Sequence, residues 1–182
     1  AFLAERLQQV GLTPQPPADR ETLIRRVALS LTGLPPTINE VDAYLADAAP
    51  EAYERMVDRY LASPRYGEEM ARHWLDVARY AESAGKEVDL SFPHAWRYRN
   101  YVIDAFNQDK PYDQFVRELV TADGSTWQNG AAVLYRDRRE PDEIATLVSQ
   151  LFLGIRLECA KCHHHPFEKW SQDDFYSFAA FF

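Results

Sequence analysis

A chain of 182 residues that is 46% hydrophobic and 26% charged has the length and balance of one globular domain with a sizeable core. Its net charge of −8 leaves no basic stripe to displace counterions, which argues against nucleic acid as a partner. No run of 18 apolar residues spans a membrane, and two cysteines are too few for a disulfide scaffold, so their spacing is read as a site.

The predicted elements are helical almost throughout. No leader precedes the first helical pattern at Ala1, which reads as the start of a mature chain or of a piece cut from a longer one. Residues 19–31 repeat Leu23, Ile24, Val27, Ala28 and Leu31 at the helical period, and Gly33 with Pro35 and Pro36 stops them. Thr37 and Glu40 form a capping box for the next helix. Pro50 opens a third, with a stripe at Tyr53, Met56, Val57, Tyr60 and Leu61. Ser63 and Pro64 start a helix predicted over residues 64–84 and closed by Gly85. Its buried face is drawn through Met70, Trp74, Val77, Ala78 and Ala81. Pro93 and Pro111 open two more. Residues 123–140, "DGSTWQNGAAVLYRDRRE", show no clear period and read as a long surface loop. Pro141 starts an apolar helix through Ile144, Leu147, Val148, Leu151 and Phe152, and Ser171 caps a last one. The expected fold is all-α, an irregular multi-helix domain over residues 1–182.

Between those last two helices lies "ECAKCHHHPFEKW". Cys159, Cys162 and His163 have the C-x-x-C-H spacing in which two thiols add to the vinyl groups of haem and the next histidine faces the iron. A structural zinc site from the two cysteines and two of the histidines is the main rival, although zinc ligands usually come as two separated pairs. A redox dithiol and a structural disulfide are weaker rivals, since no thioredoxin-like strand–helix setting is legible. Neighbours of His163 cannot reach the other face of the same haem. His165 is therefore expected to bond a propionate or a backbone group. For the distal side His73 is the candidate by type: it sits at the edge of an apolar stripe with Asp76 three residues on to orient it. The Pro141 helix and the helix carrying His73 are the expected walls of the haem. Arg72, Arg79, Arg97 and Arg99 are candidates for propionate contacts, with surface solvation as the plain alternative for each.

Four blocks carry a resemblance: "DRETLIRRVALSLTGLPPT", "YLASPRYGEEMARHWLDVARYAESAG", "AWRYRNYVIDAFNQDKPYDQFVREL" and "CAKCHHHPFEKWSQDDFYSFAAFF". Over nearly all 182 residues the chain resembles the planctomycete cytochrome-c-type domain of unknown function found in large secreted bacterial proteins. The family pattern is matched at His73, Asp76, Arg79, Tyr80, Trp96, Arg97, Tyr98 and the C-x-x-C-H. The resemblance implies one covalent haem c, a module excised from a longer multidomain protein, and a periplasmic or extracellular location, because haem is attached to such motifs outside the cytoplasm. It implies no settled activity. Electron transfer to a redox partner protein or to neighbouring domains of the same chain is the leading expectation. Haem-based catalysis or binding of small ligands at an open distal site, flanked by His73, Asp76, Arg79 and Tyr80, is the second. A haem-stabilised binding module of a saccharide-handling protein is the third.

Overall fold

The computed structural model describes residues 2–85, 89–136, 138 and 140–182. Among them every regular element is a helix. Among the same residues β-type pairing reduces to one isolated bridge between Ser83 and Ser91. The chain divides into two compact units, one up to Leu61 and one from Ala62 on.

The first unit holds α1 (Phe2–Gln9), α2 (Arg20–Thr32), α3 (Ile38–Ala46) and α4 (Ala52–Leu61). Asp19 caps α2 by accepting the Thr22 N–H at 2.7 Å, and Gly33 ends it in the left-handed conformation at φ 68°. The Thr37–Glu40 capping box forms as predicted. Ile24 and Ala28 of α2, Tyr44 of α3, and Ala52, Met56 and Tyr60 of α4 make the core of this unit. The buried face of α4 thus steps by four residues from Ala52. Tyr53 and Leu61, placed on that face by the sequence pattern, lie on its exposed flank instead.

The second unit holds α5 (Pro64–Val77), α6 (Trp96–Asn107), α7 (Tyr112–Val120), a 3-10 helix Ala131–Tyr135, α8 (Pro141–Leu153), a second 3-10 helix Leu157–Lys161, and α9 (Gln172–Ala179). α5 ends well before Gly85. The Arg79 N–H donates to Asp76 O at 3.1 Å and the Tyr80 N–H to Leu75 O at 2.9 Å, with Arg79 itself left-handed at φ 55°. That pair of bonds is a Schellman stop, and an apolar pattern that runs past it cannot reveal it. Val77 and Ala81 are exposed as a result, whereas Ala78 stays buried.

Residues 123–140 are also more than a surface loop. Ala131, Ala132, Val133 and Leu134 of the 3-10 helix are buried, with Val133 and Leu134 packed beside Tyr98, Val102, Phe115, Leu119 and Leu147. A single 3-10 turn is too short to print a helical period in sequence. Its approach to α6 needs Gly130, where an added Cβ would stand 2.7 Å from Arg97 O and 3.0 Å from Tyr101 Cβ. The nearest obstacle is backbone and cannot rotate away. Gly130→Ala is therefore expected to cost about 1–3 kcal/mol, seen as a lower urea midpoint at an unchanged slope.

Candidate functional site

α8 is followed by Gly154, left-handed at φ 67°, whose N–H and that of Ile155 both return to Ser149 O. The chain then turns into the 3-10 helix Leu157–Lys161. Side chains three apart eclipse in a 3-10 helix. Leu157 and Ala160 therefore share one edge, which is buried against Phe175 of α9 with Ile155, Trp170 and Phe178 around it. Cys159, within this helix, and Cys162, the residue that caps its end, are both exposed free thiols. Lys161 pairs with Asp142 in the first turn of α8, holding that carboxyl below its usual range by hydrogen bond and charge.

The three histidines that follow are told apart by what their Nδ1 atoms touch. The Nδ1 of His163 lies 2.6 Å from the His164 carbonyl oxygen. A carbonyl only accepts, so this Nδ1 carries the proton, and in the neutral ring Nε2 keeps its lone pair. His164 Nδ1 accepts the Gln172 N–H at 3.2 Å, and His165 Nδ1 accepts the N–H groups of Phe167 and Glu168 at 3.3 and 3.0 Å. Backbone N–H groups only donate, so in both rings Nδ1 is bare, and in the neutral ring the proton sits on Nε2. Of the three, His163 alone presents a free nitrogen lone pair.

His164 and His165 instead hold the loop to α9. The His165 N–H donates to Trp170 O at 2.8 Å, and Gln172 Nε2 donates to Lys161 O at 2.9 Å. Ser171 caps α9 in a box with Asp174, whose carboxyl is lowered first by the Ser171 N–H. Trp170, Gln172 and Phe175 are the supports that sequence reasoning missed. The S-x-x-D box was legible, but the return bonds across it were not.

The remaining predicted site residues sit elsewhere in the second unit. His73 is exposed on α5, its Nε2 3.3 Å from Glu69 Oε1. Glu69, one turn earlier, takes the place the sequence pattern gave to Asp76, because an i−4 carboxylate stacks over the ring on the helix surface. Arg79 donates to Gln150 of α8 at 3.3 Å, and the Tyr80 hydroxyl donates to Glu82 at 2.8 Å. Arg97 donates to Trp127 O at 2.7 Å with its guanidinium 4.8 Å from the Trp96 ring and 4.3 Å from the Trp127 ring. No hydrogen bond, ion pair or ring contact among the described residues joins His73, Asp76 or Arg97 to the C-x-x-C-H segment.

Whether these residues suit a haem is decided by the thiols and the walls. Two exposed free thiols and a histidine with a bare Nε2 just beyond them match the donor set that a tethered haem needs. Phe167 is 92% exposed on the same loop, an apolar surface left for a planar group to cover. A zinc centre fits less well, since no three His, Cys, Asp or Glu side chains among the described residues converge on one point. The expected slot between α8 and α5 is closed. Leu147 lies in the core, Phe152 rests against Trp74 with ring centroids 5.9 Å apart, and the gap beside Val77, Leu147 and Leu151 is a cavity of about 60 Å³. A porphyrin needs several times that volume.

Among the described residues no helix is long and apolar enough to cross a membrane. No curated protein and no solved structure matches the chain. One family model matches, over residues 1–182, and on that match the chain belongs to PSCyt2, a planctomycete cytochrome-like family described as a protein of unknown function (DUF1549).

Proposed function

We propose that this chain is a monohaem c-type cytochrome domain that passes single electrons, within an exported protein, to a partner protein or to neighbouring domains. The observation that carries the reading is that both thiols of the C-x-x-C step are free and exposed, with His163 next in the chain and its Nδ1 held as a donor. Family membership supports it at the level of a cytochrome-like domain. Cys159 and Cys162 would hold the porphyrin by thioether bonds and His163 would offer Nε2 to the iron. The group would supply one-electron redox chemistry.

In this reading the residues of the chain position and insulate. The His164 carbonyl holds the His163 ring and makes its Nε2 a better donor. The Phe175 layer stiffens the segment that bears the thiols. Because both thiols are exposed, a tethered haem would keep a face or rim near the surface, which suits exchange of electrons with a partner. His73 stays the candidate for the opposite side of the iron. Its surface contact with Glu69 is worth at most about 1 kcal/mol, less than a metal bond returns.

A second reading, an open sixth position that takes small ligands, is favoured by one observation: His73 already has a carboxylate partner and, among the described residues, no hydrogen bond or ion pair to the motif segment. Absorbance spectra of the reduced protein, with and without carbon monoxide, decide between them. Electron transfer with two protein ligands predicts a low-spin spectrum that carbon monoxide leaves unchanged. A prompt carbon monoxide shift would transfer the assignment to ligand binding.

A further inference from the structure

Two adjoining small cavities in the second unit share the same two arginines. One, of about 60 Å³, lies between the end of α5 and α8 and is lined by Val77, Arg79, Arg138, Glu143 and Gln150 among others. Its neighbour, of about 40 Å³, is lined by Arg79, Tyr80, Tyr98, Leu134 and Arg138 among others. Volumes of this size hold a few waters or one anion of three or four heavy atoms.

The donors around them are underused. Arg138 is half-buried and has no hydrogen bond or ion pair among the described residues. Arg79 has a neutral partner, Gln150, at 3.3 Å. It is exposed and occupies the left-handed stop of α5, at φ 55°, where glycine is preferred. Tyr98 is 3% exposed; its hydroxyl accepts the Trp74 Nε1–H at 2.8 Å, yet its own proton has no acceptor among the described residues. Burial of a donor without an acceptor is costly unless a ligand supplies one.

Glu143 is the opposing charge. It lines the first cavity but makes no ion pair with either arginine within 4.0 Å among the described residues, and it lies in the first turn of α8, where a carboxylate suits the helix dipole. Two guanidinium groups against one carboxylate leave a single positive charge, in a chain whose net charge is −8.

We infer that Arg79, Arg138 and the Tyr98 hydroxyl form a binding site for one carboxylate group. The guanidinium fork matches a carboxylate in two parallel bonds, and the phenol supplies a third donor. The carboxylate is that of a small free carboxylic acid. The site itself does not rest on the haem reading.

The probe is acetate, titrated into the full chain at constant ionic strength with chloride as the balancing ion. The side-chain Nε–H resonances of Arg79 and Arg138 report occupancy. Wild type is expected to give saturable shifts at both arginines. Arg138→Gln and Arg79→Gln should each weaken binding at least tenfold, while Arg72→Gln on the outer face of α5 leaves it unchanged. Matching far-ultraviolet spectra and melting curves show that each variant is folded. Shifts that stay linear in acetate, or binding equal to wild type in both arginine variants, would overturn the site.

Discussion

Replacing Phe175 with alanine is expected to lower the stability of the second unit by about 3–5 kcal/mol, the range for an aromatic side chain removed from a filled core. Phe175 is 0% exposed and is the one large side chain in a layer whose other fully covered members are Leu157 and Ala160. Few neighbours are free to collapse into the space it leaves. The loss falls on the segment that carries Cys159 and Cys162, because Leu157 and Ala160 are the inward half of its 3-10 helix. Urea unfolding gives the total, and hydrogen exchange at residues 157–161 should quicken more than at the buried positions of α6. Phe167→Ala is the control. That ring is 92% exposed, so its removal from the haem-free chain should change stability by no more than about 0.5 kcal/mol. Equal losses in the two variants would mean that the layer does not support the motif.

The second large effect concerns the three histidines, which are alike in type and adjacent in sequence but are expected to differ sharply on substitution. In chain produced with haem-attachment machinery, His163→Ala should remove the iron's proximal ligand and alter the spectrum while leaving both thioether bonds intact. His164→Ala and His165→Ala should leave the spectrum of the iron unchanged. Each should instead cost about 0.5–1 kcal/mol, because the exposed Gln172 N–H loses its protein acceptor in the first, and those of Phe167 and Glu168 in the second. The contrast comes from tautomers: Nδ1 donates in His163 and accepts in the other two. A spectrum changed equally by all three substitutions would contradict that assignment.

Several elements were legible before any coordinates. Thr37, Ser63 and Ser171 all cap the helices they were expected to open, because a side-chain acceptor for an orphan N–H is a local matter that the sequence displays directly. The C-x-x-C-H spacing was equally local. What could not be read was set by contacts distant in sequence or by backbone geometry. The stop at Arg79 needs a left-handed residue that composition would assign to Gly85. The burial of Val133 and Leu134 depends on α6 and α7, which pack over a turn too short to show a period. The partner of His73 was misjudged because both Glu69 and Asp76 lie one helical turn away, and only the side-chain rotamers choose between them. The closed gap between α5 and α8 was missed because apolar stripes look the same whether they face a cofactor or each other. Trp74 and Phe152 face each other.

The central claim is that Cys159 and Cys162 hold a haem covalently, and acid-acetone extraction tests it most directly. Chain made alongside cytochrome maturation machinery should keep its haem through the precipitation and carry the mass of one haem on the intact protein. Cys159→Ser combined with Cys162→Ser should lose both. Haem released into the acetone from the unaltered chain, or a protein mass without the haem increment, would contradict the account.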